Sequence, residues 1–240
     1  MARPSSARLW FSSYILTYLE RDVRAISSIR DLATFRRFLA LLASRCGYIL
    51  NRTDLAAPLG VSITTISEWL SILEIAGQIL LVPPFFENFG KQLIKSPKIY
   101  FLDSGLLAYL VGIESEAMLN RSPFLGPLFE TLVASEIVKA QINSGRPRAL
   151  FYFRDQQGLE VDFGVPRGDR RLVLLEAKAS STVAPQMADK LVRLAEAVSG
   201  YTTECVVVHR SPREKTGVTA LRPGVRSSGL EELLAKIVYG

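Results

Sequence analysis

Asp162, Glu176 and Lys178 are the residues of this chain whose types and spacing are best suited to chemistry. Thirteen residues separate the aspartate from the glutamate, and a single residue separates the glutamate from the lysine. Two carboxylates and a lysine held close together can form a cradle for a divalent metal ion and for the water that it activates. The spacing predicts such a site if the backbone brings the three side chains together.

A β-hairpin is the element that would do so. Residues 159–165 and 172–179 are rich in strand-forming residues, and residues 166–169 have the composition of a turn. Aligning the apolar residues of the two strands gives three opposed pairs: Val165 with Val173, Phe163 with Leu175, and Val161 with Ala177. A slip of one residue would exchange the two faces, so this register is strongly preferred.

The second face of the hairpin then carries the charged residues, with Asp162 opposite Glu176 and Glu160 opposite Lys178. Glu160 and Lys178 could form an ordinary cross-strand ion pair on a solvated face, which contributes less than about 1 kcal/mol. Asp162 and Glu176 are harder to explain in that way, because opposed like charges are destabilising unless a cation joins them. A metal site and a structural sheet face both remain open from spacing alone.

The pattern of Asp162, thirteen residues, and then Glu176-Ala177-Lys178 resembles the signature of the PD-(D/E)XK nuclease superfamily. The resemblance implies that Asp162 and Glu176 bind Mg²⁺ and that Lys178 orients or activates the attacking water.

The amino-acid composition narrows the possible partners and sites of the chain. The chain has 240 residues, 48% of them hydrophobic, and a formal charge of +6, which weakly favours an anionic partner. Cys46 and Cys205 have no metal-ligand spacing and His209 is the only histidine, so neither a zinc site nor a histidine-dependent triad is expected. Two cysteines fit a reduced, cytoplasmic setting. No stretch approaches about 18 apolar residues, so we expect neither a signal peptide nor a membrane span.

The first 115 residues are predicted to form a helical segment and a winged helix-turn-helix domain. A helix is expected over residues 31–46 with Asp31 as its N-cap. Residues 53–73 have the small, glycine and apolar positions of a helix-turn-helix, with Thr53 and Ser62 as the expected caps. Two strands, at 79–82 and 97–103, would form the wing.

The winged helix leaves the question of DNA binding open. The expected recognition helix has no lysine or arginine between residues 62 and 76, whereas phosphate neutralisation supplies most non-specific affinity for DNA. The wing offers three better candidates for nucleic-acid contact: Lys91, Lys95 and Lys98. A packing or interdomain role is the alternative.

Residues 116–240 are predicted to form a second, α/β domain. A helix over residues 127–143 precedes three strands, then a helix over 184–199, an apolar strand at 205–209, a charged loop at 210–216 and a last helix at 229–238. This order of elements is that of the restriction-endonuclease-like fold. Glu130 and Glu136 lie about 240° apart on the first helix, so one of them could face the acidic hairpin. The alternative is that each is solvated or pairs locally, which is commoner for a glutamate on a helix.

Six stretches in sequence order extend the resemblance over nearly the whole chain. They are YLERDV, the helix-turn-helix, KSPKIYFLDSGLLAYLVG, GPLFETLVASEI, FYFRDQQGLEVDF and LEAKAS. Together they resemble the C-terminal half of a prokaryotic family of AAA-type ATPases that carry the domain of unknown function 4143. The resemblance implies that Glu130 (or Glu136) joins Asp162, Glu176 and Lys178 in a nuclease-like site.

The ATP-cradling GxxxxGK loop is absent from these 240 residues. The sequence therefore resembles a family member that begins after its ATPase domain, either as a truncation or as a stand-alone remnant, and we expect no ATP hydrolysis from this chain alone. Three functions remain open: an Mg²⁺-dependent nuclease acting on DNA, a non-catalytic module that binds nucleic acid or protein, and a regulatory appendage of an ATPase domain.

Overall fold

A computed structural model describes residues 4–19, 31–85, 95–198, 200–210 and 219–239. The chain has a mixed α/β fold with a two-stranded and a six-stranded sheet in this described part. It divides into two compact units. Unit 1 comprises Met1–Leu81 and Ile99–Thr131, and unit 2 comprises Val82–Lys98 and Leu132–Gly240.

Helices dominate unit 1. They are α1 (Pro4–Tyr14, continued by a π-helical turn at Ile15–Leu19), α2 (Leu32–Ser44), α3 (Arg52–Leu59), α4 (Ile63–Ile75), α5 (Ser104–Leu110) and α6 (Glu116–Arg121). Strands β1 (Ile79–Val82) and β2 (Lys98–Phe101) form the two-stranded sheet. Helix α7 (Leu125–Asn143) begins in unit 1 and continues into unit 2.

Side-chain caps determine where these helices begin. Asp31 accepts a hydrogen bond from the Thr34 amide at the start of α2, and Ser62 accepts one from the Thr65 amide at the start of α4, as the sequence predicts. The expected cap of α3 is wrong by two residues. The Asn51 carboxamide accepts the Thr53 amide, so Thr53 itself lies inside the helix, where its own amide needs an acceptor.

The core of unit 1 forms where α2 and α4 pack together. Phe35 and Phe38 of α2 both lie within 5.3 Å of the Trp69 ring of α4, measured between ring centroids. All three side chains are buried. Aromatic pairs at these distances stabilise the fold beyond the area that they bury, so this contact helps to hold α2 against α4.

Segment 82–98 belongs to unit 2, not to unit 1. Pro84 forms a parallel bridge with Tyr152, and the Phe85 amide donates to the Tyr152 carbonyl at 2.7 Å. The other end of the segment is held as well, because the Tyr152 hydroxyl donates to the Ser96 carbonyl at 2.6 Å. The predicted division near residue 115 therefore differs from the structural one, which places this segment with the C-terminal sheet and divides α7 after Thr131.

Unit 2 is built on the six-stranded sheet, whose strand order is β3-β4-β5-β6-β8-β7. The strands are β3 (Phe151–Arg154), β4 (Glu160–Pro166), β5 (Arg171–Lys178), β6 (Thr202–His209), β7 (Thr219–Arg222) and β8 (Val225–Ser228). A 3₁₀ turn (Pro185–Ala188) and α8 (Asp189–Ala197) connect β5 to β6, and α9 (Leu230–Tyr239) ends the described chain.

The central strands are the ones that the sequence predicts. Strands β3, β4 and β5 are antiparallel, and β6 returns parallel to β5 after α8, as a strand–helix–strand crossover requires. Strand β8 pairs in parallel with β6 and carries β7 on its outer side. These last two strands are absent from the sequence prediction, and the predicted loop at 210–216 lies outside the described residues, except for Arg210.

An apolar layer between this sheet and α8 forms the core of unit 2. Leu191 and Leu194 of α8 are buried in one cluster with Leu174 and Val207, which lie on the neighbouring strands β5 and β6. Because α8 crosses from the end of β5 back to the start of β6, its apolar side covers this face of the sheet and positions the ends of both strands.

Within the described residues, no single helix is long and apolar enough to cross a membrane. The bent pair formed by α3 and α4 passes the same length and composition test only when both helices are taken together.

Candidate functional site

The hairpin formed by β4 and β5 has the predicted register. Phe163 lies opposite Leu175 and Val165 lies opposite Val173. The connection uses the predicted turn region, where Gly168, Asp169 and Arg170 all have positive φ angles, between 46° and 72°. The apolar match between the two strands is therefore sufficient to predict their pairing.

A bulge changes the hairpin at the candidate site. Along the β3–β4 ladder, Phe151 pairs with Gly164 but Phe153 pairs with Val161, so two residues of β4, Asp162 and Phe163, lie opposite the single residue Tyr152. Such a bulge redirects the side chains on one side of it.

Because of this bulge, the predicted orientation of the Val161 side chain is wrong. The sequence predicts it on the face of Phe163 and Val165, opposite Ala177. Instead it is buried in the cluster that contains Leu172 and Leu174, on the other face of the sheet. One extra residue in β4 is enough to reverse the alternation of every residue that precedes it.

The Asp162 side chain, and not the backbone of β4, is the hydrogen-bond partner of the Ala177 amide in β5. The regular pairing of β4 with β5 ends at Phe163, and one carboxylate oxygen of Asp162, Oδ2, accepts a hydrogen bond from the Ala177 amide at 2.9 Å. The residue is 7% exposed. This bond holds the Asp162 carboxylate beside the backbone that connects Glu176 to Lys178.

Glu176 is the most deeply buried member of the site, at 1% exposure. Its Oε1 atom accepts a hydrogen bond from the Lys178 ammonium group at 2.6 Å and lies 3.7 Å from the Lys190 ammonium group. Its Oε2 atom is buried and has no hydrogen-bond partner among the described residues. A buried carboxylate oxygen without a donor is costly, and it is the most unusual feature of the site.

Burial raises the pKa of the Glu176 carboxyl above its ordinary value, and the negative charge of Asp162 raises the pKa further. The ammonium groups of Lys178 and Lys190 act in the opposite direction. Two carboxylates thus lie close enough to repel each other in a poorly solvated place, and the two lysines offset this repulsion only in part.

Both lysines that lie beside Glu176 are partly accessible to solvent. The Lys178 side chain is 31% exposed, and half of the Lys190 side chain is exposed. Sequence reasoning missed Lys190, which lies on α8, because no spacing relates a helix residue to the end of a preceding strand. The site can therefore be reached from the edge where β5 ends.

The predicted pairing of Glu160 with Lys178 is wrong. Glu160 Oε1 lies 2.5 Å from the Lys98 ammonium group, and its Oε2 lies 3.1 Å from the Arg154 guanidinium. Because the bulge lies between Glu160 and the regular part of the hairpin, Glu160 pairs along β3 with Arg154 instead of facing β5.

Glu130 lies among residues of unit 1. The Tyr100 hydroxyl donates to Glu130 Oε2 at 3.3 Å, and the same oxygen is 3.4 Å from the position that a β-carbon on Gly47 would take. Its neighbour Thr131 contacts the sulfur of Cys46 at 3.0 Å. Glu136, the alternative candidate, pairs with Lys139 at 2.9 Å on the same helix.

Of the three lysines predicted to contact nucleic acid, the structure describes two, and they differ in exposure. Lys95 is exposed, as expected, and Lys91 lies outside the described residues. Lys98 is buried, at 3% exposure, with its ammonium group paired to Glu160 and 5.5 Å from the centre of the Tyr152 ring. A buried, paired lysine cannot reach a phosphate, so the assignment of Lys98 to a nucleic-acid surface is wrong.

The carboxylate oxygens of Asp162 and Glu176 are suitable ligands for Mg²⁺, but the protein supplies few of them. No group of three or more His, Cys, Asp or Glu side chains in the described part of the chain is arranged to hold a metal. Mg²⁺ is commonly bound through one or two carboxylates, with waters and substrate phosphates completing its octahedron. The orphan oxygen of Glu176 beside the Asp162 carboxylate is compatible with such a two-carboxylate site.

Substitution of Glu176 by Gln tests this account of the site. In metal-free buffer at pH 8 we expect the free energy of unfolding to increase by roughly 1–3 kcal/mol, because an ionised carboxylate with an orphan oxygen is removed. A carboxyl whose pKa is raised on folding binds more protons in the folded state, so the wild type loses stability as pH rises from its ordinary pKa of 4.5 through the folded value.

Urea unfolding of the wild type and of E176Q at several pH values measures this difference. The stability advantage of the variant should be small near pH 4.5 and larger at pH 8. A difference that does not change with pH would show that Glu176 does not titrate as its surroundings predict. Glu136→Gln, in an exposed ion pair with Lys139, is the matched control.

Sequence comparisons agree with a chain of two parts. Residues 2–117 match the family described as domain of unknown function DUF8612. Residues 125–221, which contain the whole candidate site, match the family described as domain of unknown function DUF4143, a domain found in AAA-ATPase-associated proteins. The boundary between the two matches lies close to the predicted division near residue 115.

Two curated relatives are similar along most of the chain. They are uncharacterized proteins of Mycobacterium tuberculosis and Mycobacterium bovis, each 34% identical over 231 residues, which is 94% of this chain. The same alignments cover 50% of each relative, so the chain spans about half the length of the curated relatives that it matches.

Proposed function

We propose that this chain is a nuclease-like protein that hydrolyses DNA phosphodiesters at Asp162, Glu176 and Lys178, with Mg²⁺ as cofactor. The observation that carries the proposal is the buried Glu176 carboxylate, one oxygen of which has no donor among the described residues while the charge of Asp162 lies near it. The resemblance of the Asp162, Glu176 and Lys178 spacing to the PD-(D/E)XK signature supports the same chemistry.

A purely structural role explains this arrangement poorly. Asp162 and Glu176 are both largely buried, and like charges in such a place disfavour the folded state. Lys178 pairs with one oxygen of Glu176, and the other oxygen has no donor in the part of the chain that the structure describes. A bound metal ion, in addition to Lys178 and Lys190, is the simplest way to satisfy both carboxylates, and functional sites commonly retain such destabilising features.

Each residue has a distinct part in the proposed reaction. Asp162 and Glu176 would hold the metal, which would supply a water of lowered pKa and would neutralise charge on the phosphate. Lys178, which is partly exposed beside Glu176, would orient the attacking water and stabilise the charge that develops on the phosphate oxygens. The water oxygen bonds to phosphorus, the bond from phosphorus to one ester oxygen breaks, and that oxygen is released with the proton of the water.

We propose a restriction-endonuclease-like fold for unit 2 and a winged helix for unit 1. In support, α7, β3, β4, β5, α8 and β6 follow one another in the order typical of the nuclease fold. In unit 1, α3 and α4 meet at 111° across a three-residue connection, and β1 and β2 follow. This angle lies within the range of about 90–120° that is typical of a helix-turn-helix.

The direct test is cleavage of supercoiled plasmid and single-stranded DNA by the purified chain, with Mg²⁺, with Mn²⁺ and without metal. We expect metal-dependent nicking by the wild type and a loss of at least about 100-fold in Asp162→Asn. Asp189→Asn is the matched control, because Asp189 is an exposed carboxylate of unit 2 paired with Arg222. Cleavage that persists in D162N would disprove the assigned site.

A second candidate function is regulation of an ATPase domain, as a DNA- or protein-binding appendage without turnover. The absence of lysine and arginine between residues 62 and 76, a stretch that includes the whole of α4, favours it over DNA recognition by unit 1. No cleavage by a wild-type chain that is folded and loaded with metal would favour this candidate.

A further inference from the structure

A cavity of about 310 Å³ lies in unit 2, where strands β5 and β6 begin. Strand β5 is eight residues long, so its start lies about 23 Å from Lys178 at its end. The cavity is therefore separate from the carboxylate site, and its interpretation does not depend on the proposed nuclease activity. Among the residues that the structure describes, four cationic side chains line it: Arg167, Arg171, Arg226 and Lys236.

Two of the cations near the cavity have structural partners. Arg167 donates from Nη1 to the carbonyl oxygens of Lys236 and Ile237, at 2.8 and 2.6 Å, and so satisfies the C-terminal end of α9. Arg226 pairs with Glu204, which is the single acidic residue among the described residues that line the cavity. These contacts explain why Arg167 and Arg226 are present, but they leave the positive charge of the cavity largely uncompensated.

Arg171 and Lys236 have no such explanation. Both side chains are exposed, and no carboxylate among the described residues pairs with either of them. Burial lowers the pKa of the Arg167 guanidinium, and the nearby charges of Arg146 and Arg171 lower it further. Guanidinium groups that crowd one another in this way form a favourable environment for an anion, and arginine binds phosphate with particular geometric specificity.

The apolar part of the lining limits the kind of anion. Leu172, Leu233 and Ile237 are buried residues of the wall, and Thr202 and Thr203 add hydroxyl groups. A volume of 310 Å³ lies at the lower end of the range of about 300–1,000 Å³ that is typical of small-ligand pockets. An apolar wall gives inorganic phosphate no advantage, whereas it suits the organic part of a larger ligand.

We propose that this cavity binds a small organic phosphate of nucleotide size, with its phosphate at Arg171 and Lys236 and its organic part against the apolar wall. No existing contact needs to break for binding, because neither Arg171 nor Lys236 pairs with a carboxylate in the described part of the chain.

Calorimetric titration of the full 240-residue chain tests the proposal. The probes are AMP, ADP, ATP, inorganic phosphate and a short single-stranded oligonucleotide, in metal-free buffer so that a metal ion at the carboxylate site cannot contribute. We expect at least one nucleotide to bind about tenfold or more tightly than inorganic phosphate. Arg171→Ala should weaken nucleotide binding about tenfold, and the double variant R171A/K236A should weaken it about 100-fold.

Two variants provide matched controls. Arg193→Ala removes an exposed arginine of α8 that does not line the cavity, and D162N alters the carboxylate site. Neither should change nucleotide affinity, and thermal unfolding should confirm that all variants are folded. No nucleotide binding at about 1 mM, affinity unchanged by R171A/K236A, or inorganic phosphate binding equally well would each overturn the proposal. Tighter, R171A-sensitive binding of the oligonucleotide would assign the cavity to a nucleic-acid backbone instead.

Discussion

Replacing Lys178 with Met is expected to lower the rate of Mg²⁺-dependent DNA cleavage by about 100- to 1,000-fold while leaving metal binding intact. The Lys178 ammonium group donates to Glu176 at 2.6 Å, and the two residues are two positions apart on strand β5. Loss of a preorganised donor to a developing negative charge typically has an effect of this size. Methionine keeps most of the side-chain volume, so packing should change little.

Two measurements separate this role from a role in metal binding. The rate at saturating Mg²⁺ reports the loss of the ammonium group, and the Mg²⁺-dependent increase in thermal stability reports whether Asp162 and Glu176 still bind the ion. Lys139→Met, at an exposed lysine paired with Glu136, is the control. Lys178 has no part in the reaction if K178M cleaves as fast as the wild type.

Replacing Glu160 with Gln is expected to reduce the free energy of unfolding by about 3 kcal/mol. Its partner Lys98 is 3% exposed, and the variant leaves that buried ammonium group without its carboxylate. Breaking a buried ion pair by removal of one partner typically costs about 3–5 kcal/mol. The lower end of that range applies because the Glu160 side chain is 24% exposed.

Urea unfolding of E160Q at pH 7 measures the loss. Glu136→Gln is again the appropriate control, because its partner Lys139 is 46% exposed and such pairs contribute less than about 1 kcal/mol. If both variants lose the same small amount of stability, the pair of Lys98 and Glu160 does not hold segment 82–98 against the sheet.

The hairpin shows how far sequence reasoning can go. Apolar residues in alternation predict the pairing of β4 with β5 to the residue, because only one register buries Phe163 and Val165 opposite Leu175 and Val173. The same reasoning fails at Val161. A bulge depends on the neighbouring strand β3, and nothing in the sequence of β4 marks the extra residue.

Strands β7 and β8 show a second limit. The two segments are short and partly polar, at residues 219–222 and 225–228, and they lack the apolar run that identifies β6. They form strands because the edge of β6 offers unpaired backbone groups, and β8 fills that edge in parallel. Their existence depends on the rest of the sheet, which a local pattern does not contain.

The sequence by itself determined the α/β class, the caps of α2 and α4, the register of the central hairpin and the identity of the charged residues at its end. These properties depend on local hydrogen bonds and on alternation along one or two strands, which are encoded within short stretches. Tertiary structure alone decided that Glu160 pairs with Lys98, that Lys190 approaches Glu176, and that one oxygen of the buried Glu176 has no partner among the residues described. Burial and long-range pairing arise only when distant elements pack, so no local spacing predicts them.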